Sequence, residues 1–541
     1  MSSPAVDMVA QHVLARMVDY FQDAGTPWPR RLWDVGSVLA LEELWEACRW
    51  QARNVLSSTA CDWQRNELSA LIGPDRGLGE KDLRKEITEL LKRSLVDPSP
   101  EHRRLRVIIE YAREGYLERL ADAVKAGSVK PERLSRTVAA HLLDLGYSSS
   151  YLLAWARQTA RSAPTTVDVV LAAAELAAQG RRDFEVLIAL DKVPRRDLAE
   201  PLPNWRNKGA VVAWLRENGH DTTGFRAGGG FVYTVRAWDA YGAAGQARQL
   251  LERMTARAEF LRKDRGGVAS LQSIWVAGHR TPVPLSPPAR GADVLSLVHE
   301  GHLYKVEGHR TRIDDALELA AAVNRGALTP AVAGGWAAVE SLLSHPDDPK
   351  GEERSGKAVA ADRLAAILAC SWPRAELTTL AHRHAPVQPD ALSTAVAAAD
   401  TNLRCCQLIV EALETGGAGA LALTKNTKLS DSAAADRMAA LIVDPTQQLQ
   451  QVNKAFRIAL RRLYRTRNII LHGGSIDGVA LEASLRTAAP LIGAGLDRVV
   501  HAYYTEGLEP LDLAARAEVA LRLVNGETGL SLVELLEPRR H

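Results

Sequence analysis

The chain has 541 residues, 46% hydrophobic and 24% charged, a balance that supports packed cores in roughly two to four domains. Lysine and arginine total 67 against 65 aspartates and glutamates, a net charge of +2, so bulk charge selects no polyanionic partner and local clusters must carry that question. Cys48, Cys61, Cys370, Cys405 and Cys406 lack C-x-x-C spacing and indicate neither a zinc site nor a disulfide framework. No apolar run reaches the roughly 18 residues of a membrane span, and the amino terminus lacks the basic start and apolar stretch of a secretory signal; the expectation is a cytoplasmic protein.

Residues 1–180 read as a series of amphipathic helices. The clearest start is Ser99-Pro100-Glu101, where a hydroxyl can cap and proline suits the first helical position; the helical spacing then runs to Gly127. The texture changes near Arg181. "DFEVLIAL" suits a buried strand, "GGGFVYTVRAWDA" puts Phe231, Tyr233 and Val235 on one face of a second, and "SIWVAG" suits a third, with helical stretches near 207–218 and 242–263 between them. This predicts a small α/β (α+β) domain over 181–305, with a sensor or regulatory role as the expectation. Its glycines 228–230 precede a strand rather than open a helix after one, so they read as a turn and not as a phosphate loop. "HEGH" at His299–His302 lacks the i, i+4 spacing of a zinc-binding helix. From 306 to 541 the pattern is helical, with no strand signal, a section near 385–445 longer than a compact four-helix bundle needs, and a short tail of helices. The fold class expected is mainly α.

The most informative stretch is "LYRTRNIILHGG", Leu463–Gly474. Val452, Phe456, Ala459, Leu463, Thr466 and Ile470 recur at helical spacing and should face a core. Lys454, Arg457, Arg461, Arg462, Arg465 and Arg467 make the rest of the helix basic, with no acidic residue between Pro445 and His472. Such a face calls for an anion or an acidic surface nearby, RNA being one candidate. At about 100° per residue, Asn468 and His472 share a face, and Arg467 lies about 20° from the core-facing Phe456, toward a seam where an unpaired charge is costly. Gly473 and Gly474 stop the helix, leaving His472 in its last turn. A histidine able to change charge beside a fixed cation suits phosphoryl transfer.

These residues resemble the signature of the HEPN superfamily of helical-bundle ribonucleases and nucleotide-binding proteins: an arginine, four to six residues, and a histidine, often with a polar residue after the arginine. Arg467 fits with four intervening residues and Asn468 in the polar position; Arg465 fits with six. The context, "GWAAVESLLS" early and "RNIILHGG" late, looks most like the Apea-like HEPN branch found in bacterial phage-defence proteins, over residues 311–505. The resemblance implies a metal-independent endoribonuclease without cofactors, active as a homodimer through the HEPN domain in antiviral, abortive-infection defence. His472 would move the proton, Arg467 would steady the scissile phosphate, Asn468 would orient His472 or the phosphate, and Arg465, Arg462, Arg461 and Lys454 would hold the RNA. A phage-derived or nucleotide trigger would act through residues 1–305. The rival readings are a non-catalytic RNA-binding, nucleotide-binding or dimerisation module, and a scaffold in which Arg467 pairs with an internal carboxylate such as Glu340. Spacing alone is weak, since roughly five matches arise by chance in such a chain. One match, Arg136 to His141, lies inside an amphipathic helix with no glycine stop and reads as plain structure.

Overall fold

The computed structural model describes residues 7–22, 25–127, 129–162, 164–193, 195–260, 268–306, 308–348, 350–351, 354–355, 358–423, 429–524 and 529–538. It is 65% helical, with 22 helices and one small five-stranded antiparallel sheet, the mainly α fold expected. No helix among the described residues is long and apolar enough to cross a membrane.

The chain divides into two units. The first comprises 1–141, 156–174 and 289–541; the second comprises 142–155 and 175–288. The expected amino-terminal helical region and carboxy-terminal bundle therefore belong to one unit, and the sheet unit begins earlier and ends sooner than the 181–305 read from composition.

In the sheet unit, β1 (Arg182–Lys192), β2 (Trp205–Asn207), β3 (Gly229–Ala237), β4 (Ala269–Val276) and β5 (Val283–Pro284) are ordered β2-β3-β1-β4-β5. The central β1 is buried continuously from Val186 to Leu190 because each face of the sheet carries a helix. Phe184, Val186, Ile188 and Leu190 pack with Ala243, Ala244, Ala247 and Leu251 of helix Ala240–Ala258. Leu187 and Ala189 pack with Val211, Trp214 and Leu215 of helix Lys208–Glu217. The end of the second expected helical stretch, 261–263, lies outside the described residues. Gly229 and Gly230 open β3 instead of forming a turn. Gly229 holds φ +156 under the Trp205 ring, and a Cβ on Gly230 would press the Ile188 carbonyl, so close strand approach explains the glycines. Residues 142–155 join this unit through Ser148, whose backbone N–H and hydroxyl donate to Asp239 at 2.8 and 2.7 Å.

In the helical unit, Ser99 caps helix Pro100–Arg113 by accepting from the His102 N–H at 3.1 Å. The single helix expected from there to Gly127 is two, because Gly115 turns left-handed at φ +64 before Tyr116–Lys125. A bundle of four mutually contacting helices, Leu328–Leu343, Val359–Arg383, Pro445–Gly473 and Leu481–Glu506, forms around Trp336, Leu368, Phe456, Leu463 and Ile492. A short hairpin, Lys350–Gly351 with Arg354–Ser355, interrupts a stretch expected to be all helix. The long section near 385–445 forms helices Ala391–Ala397, Asn402–Gly416 and Leu429–Val443; the end of its glycine-rich stretch, 424–428, lies outside the described residues. Amino-terminal residues complete the same core: Trp33 meets the Phe456 ring edge-on at 4.9 Å, and the buried Arg30 pairs with Glu376 at 2.6 Å and Asp431 at 2.5 Å.

Candidate active site

Helix Pro445–Gly473 starts where Asp444 accepts from the Gln447 N–H at 3.1 Å with Pro445 in the first turn, and it ends where Gly474 turns left-handed at φ +66. Phe456, Ala459, Leu463, Thr466 and Ile470 are buried as the spacing requires, and Val452 packs at the edge of the same core. Gly473 is needed for close approach, because a Cβ there would lie 2.9 Å from the Trp50 ring.

At the end of this helix Arg467, Asn468 and His472 come together. One Arg467 Nη donates to Asn468 Oδ1 at 3.0 Å and lies 3.3 Å from His472 Nε2. A guanidinium has no acceptor, so in this contact His472 Nε2 accepts from Arg467. His472 is exposed, Arg467 is half-buried and Asn468 is buried. These three and Tyr464 form one side of a cleft of about 270 Å³; Val55, Leu56, Ser57 and Ala60 form the other.

That second wall is the turn between helices Ser37–Ala52 and Ser58–Ile72. Its hold on the signature helix is partly apolar, through Ala47, Leu56, Cys61 and Ile469. The loop after the signature helix is held as well, by Glu46 accepting from the Val479 N–H at 3.1 Å. Ser57 caps the second wall helix by accepting from the Ala60 N–H at 3.3 Å, which turns the positive end of a helix dipole toward the cleft. Arg467 thus sits in an anion-friendly recess. Its Nε is buried without a hydrogen-bond partner, and among the described residues it has no carboxylate partner. Glu340 instead accepts from the Trp336 indole at 2.8 Å.

The rest of the basic face overturns one expectation. Arg461, Arg462 and Arg465 do not present an RNA surface, because carboxylates of the chain itself neutralise them. Arg461 makes a two-pronged bond with Asp362 at 3.0 and 2.8 Å and lies over the Trp63 ring at 4.1 Å. The buried Arg462 donates to the buried Glu43 at 2.7 Å. Arg465, also buried, lies 4.0 Å from both Glu43 and Glu67, and burial pulls its guanidinium below its ordinary range against those two carboxylates. The acidic surface that the basic face demanded is therefore the amino-terminal hairpin 37–72, assisted by Asp362. Lys454 remains exposed. Between Arg465 and Arg467, only Arg467 reaches His472. Asn468 contacts Arg467 rather than His472, so its place is to hold the guanidinium.

The other spacing match is structural, as expected. Arg136 pairs with Asp34 at 2.7 Å and Glu132 at 3.4 Å, while His141 is buried against Tyr116 at 4.4 Å between ring centres. His302 pairs with Glu300 at 3.4 Å and stacks on Tyr504, and among the described residues no cluster of His, Cys, Asp or Glu is placed to hold a metal ion. No described residue of 385–445 lines the cleft. Sequence reading missed Tyr464, which lies one helical turn before Asn468 and was open to detection; it missed Leu56 and Ser57 for want of any local signal. No family model, curated protein or solved structure matches this chain.

Proposed function

We propose that this chain is a metal-independent endoribonuclease of the HEPN type, a toxin-like effector of antiviral defence acting in the bacterial cytoplasm. The observation that supports this most is the Arg467–His472 contact at 3.3 Å in a cleft where Arg467 meets no carboxylate. His472 Nε2 takes the proton of an RNA 2′-hydroxyl as that oxygen attacks the adjacent phosphorus. The bond from phosphorus to the 5′ oxygen breaks, the departing oxygen receives a proton from the His472 of a second copy, and a 2′,3′-cyclic phosphate remains. Arg467 leaves its contact with His472 to meet the charge developing on the phosphate, Asn468 keeps the guanidinium aimed, and the helix beginning at Ser58 adds its positive end. No cofactor enters this scheme. A second copy of the chain, paired through the HEPN-like bundle, supplies a second signature, and a phage-derived or nucleotide signal acts as the trigger.

One observation favours the alternative of a nucleotide-binding module. With Arg461, Arg462 and Arg465 neutralised internally, Arg467 is the arginine that lines the cleft, which suits one phosphate group better than a long strand. The deciding experiment is digestion of total bacterial RNA in EDTA by the purified protein and by His472→Ala, with analysis of product ends. EDTA-resistant cutting that leaves cyclic phosphates and vanishes in the variant is the expected result; equal cutting by both proteins overturns the assignment of His472.

A further inference from the structure

Cys48 and Cys61 face each other across the hairpin that walls the cleft. Cys48 lies in the last turns of helix Ser37–Ala52, and Cys61 lies in the opening turn of helix Ser58–Ile72. The Cys61 Sγ reaches the Ala47 carbonyl at 3.7 Å, one residue from Cys48. Both residues are nearly buried, at 2% and 1% exposure. They nonetheless line a second cavity of about 320 Å³, shared with Ser58, Arg65 and Lys92, through which a small polar oxidant can reach sulfur. All five cysteines are free.

We infer that Cys48 and Cys61 form an oxidisable dithiol, which a peroxide-class oxidant converts to a disulfide stapling the hairpin that carries Val55, Leu56, Ser57 and Ala60. Cys61 is the attacking sulfur. The neighbouring Cys48 holds its thiol below the ordinary value against the effect of burial, with Arg465 and Arg65 helping, and its place at a helix start acts in the same direction. The Cys61 thiolate attacks a peroxide oxygen; an S–O bond forms, the O–O bond breaks, and hydroxide leaves. The Cys48 sulfur then attacks the Cys61 sulfenic acid, an S–S bond forms, the S–O bond breaks, and the hydroxyl leaves as water with the Cys48 proton. The pair loses two electrons and two protons, and the peroxide is reduced to water. Cys370 and Cys406 are poorer targets. Burial pushes Cys370 up, where it points at the Ala517 carbonyl, and burial likewise raises Cys406.

The test is titration of the full chain with hydrogen peroxide, alkylation of remaining thiols, and peptide mapping without reductant. A Cys48–Cys61 linked peptide is expected at an oxidant dose about tenfold below that which modifies Cys370, and dithiothreitol should remove it. In Cys48→Ser, Cys61 should stop at a sulfenic acid that dimedone captures; in Cys61→Ser, Cys48 should stay reduced at the same dose. Recovery of both cysteines alkylated when Cys370 is already oxidised, or their linkage to Cys405 or Cys406, overturns the inference. The readout is a peptide mass, so it stands or falls separately from RNA cleavage.

Discussion

Arg467 is held by neutral partners where its neighbours are held by charged ones. Its contacts are an amide oxygen and an imidazole, so no ion pair is lost when it turns to a phosphate. Arg467→Ala should lower cleavage by about 10²- to 10³-fold, the loss typical of removing one donor to a developing negative charge, with an unchanged thermal midpoint. Arg467→Lys should recover only part of the rate, since an ammonium cannot span phosphate and Asn468 as a planar fork does. Single-turnover kinetics beside thermal melts checks both. Asn468→Asp is also informative: a carboxylate beside Arg467 would compete with the phosphate, so binding of an RNA analogue should weaken while the fold stays intact. The Arg467–His472 pair was legible in the sequence through the spacing of the signature that the residues resemble; the helix period alone sets the two about 140° apart and aligned Asn468 with His472 instead. Leu56 and Ser57 were not legible, because they come from a turn remote in sequence and no spacing rule links them to the signature.

At the scale of elements, helix Pro445–Gly473 shows where charge patterning stops informing. An all-basic face truly signals a nearby anion, but the helix cannot say whether that anion is a ligand or another helix of the same chain. Glu43 and Glu67, on helices Ser37–Ala52 and Ser58–Ile72, supply the answer. Glu43→Ala leaves Arg462 buried without its partner and should destabilise the unit by about 3–5 kcal/mol, the usual result of removing one member of a buried pair. Lys454→Ala, at an exposed position, should change stability by less than about 0.5 kcal/mol. Urea unfolding of the two variants checks the contrast. The sheet shows the converse. β1 and β3 were readable from apolar runs and alternation, whereas β2 and β5 span only Trp205–Asn207 and Val283–Pro284, too short to carry a period.

The whole molecule should lose stability with acid in a defined order. Burial holds the His141 imidazole neutral, down at about 4, against an ordinary value near 6.5. The folded state then binds fewer protons than the unfolded one, so this contribution is complete above about pH 6.5 and is lost as pH falls from there toward about 4. It amounts to about 2 kcal/mol between pH 7 and pH 5, and His141→Phe should flatten that part of the profile in urea unfolding. Glu506, held down at about 2 beside His501 and Arg498, contributes fully above the ordinary carboxylate range, and that stabilisation is lost only at lower pH, as pH falls from that range toward about 2. A fragment of 306–541 lacks Glu43 and Glu67 and should show no cooperative melt by circular dichroism. The division into chain segments also has a temporal side. Glu43 precedes its partner Arg462 by 419 positions, which at ordinary synthesis speeds is roughly 20–80 s. A ribosome therefore displays the wall of the cleft long before Arg467 and His472 exist, and truncated translation products carry the wall without the chemistry; every chain that possesses the pair has already made the carboxylates that seat it.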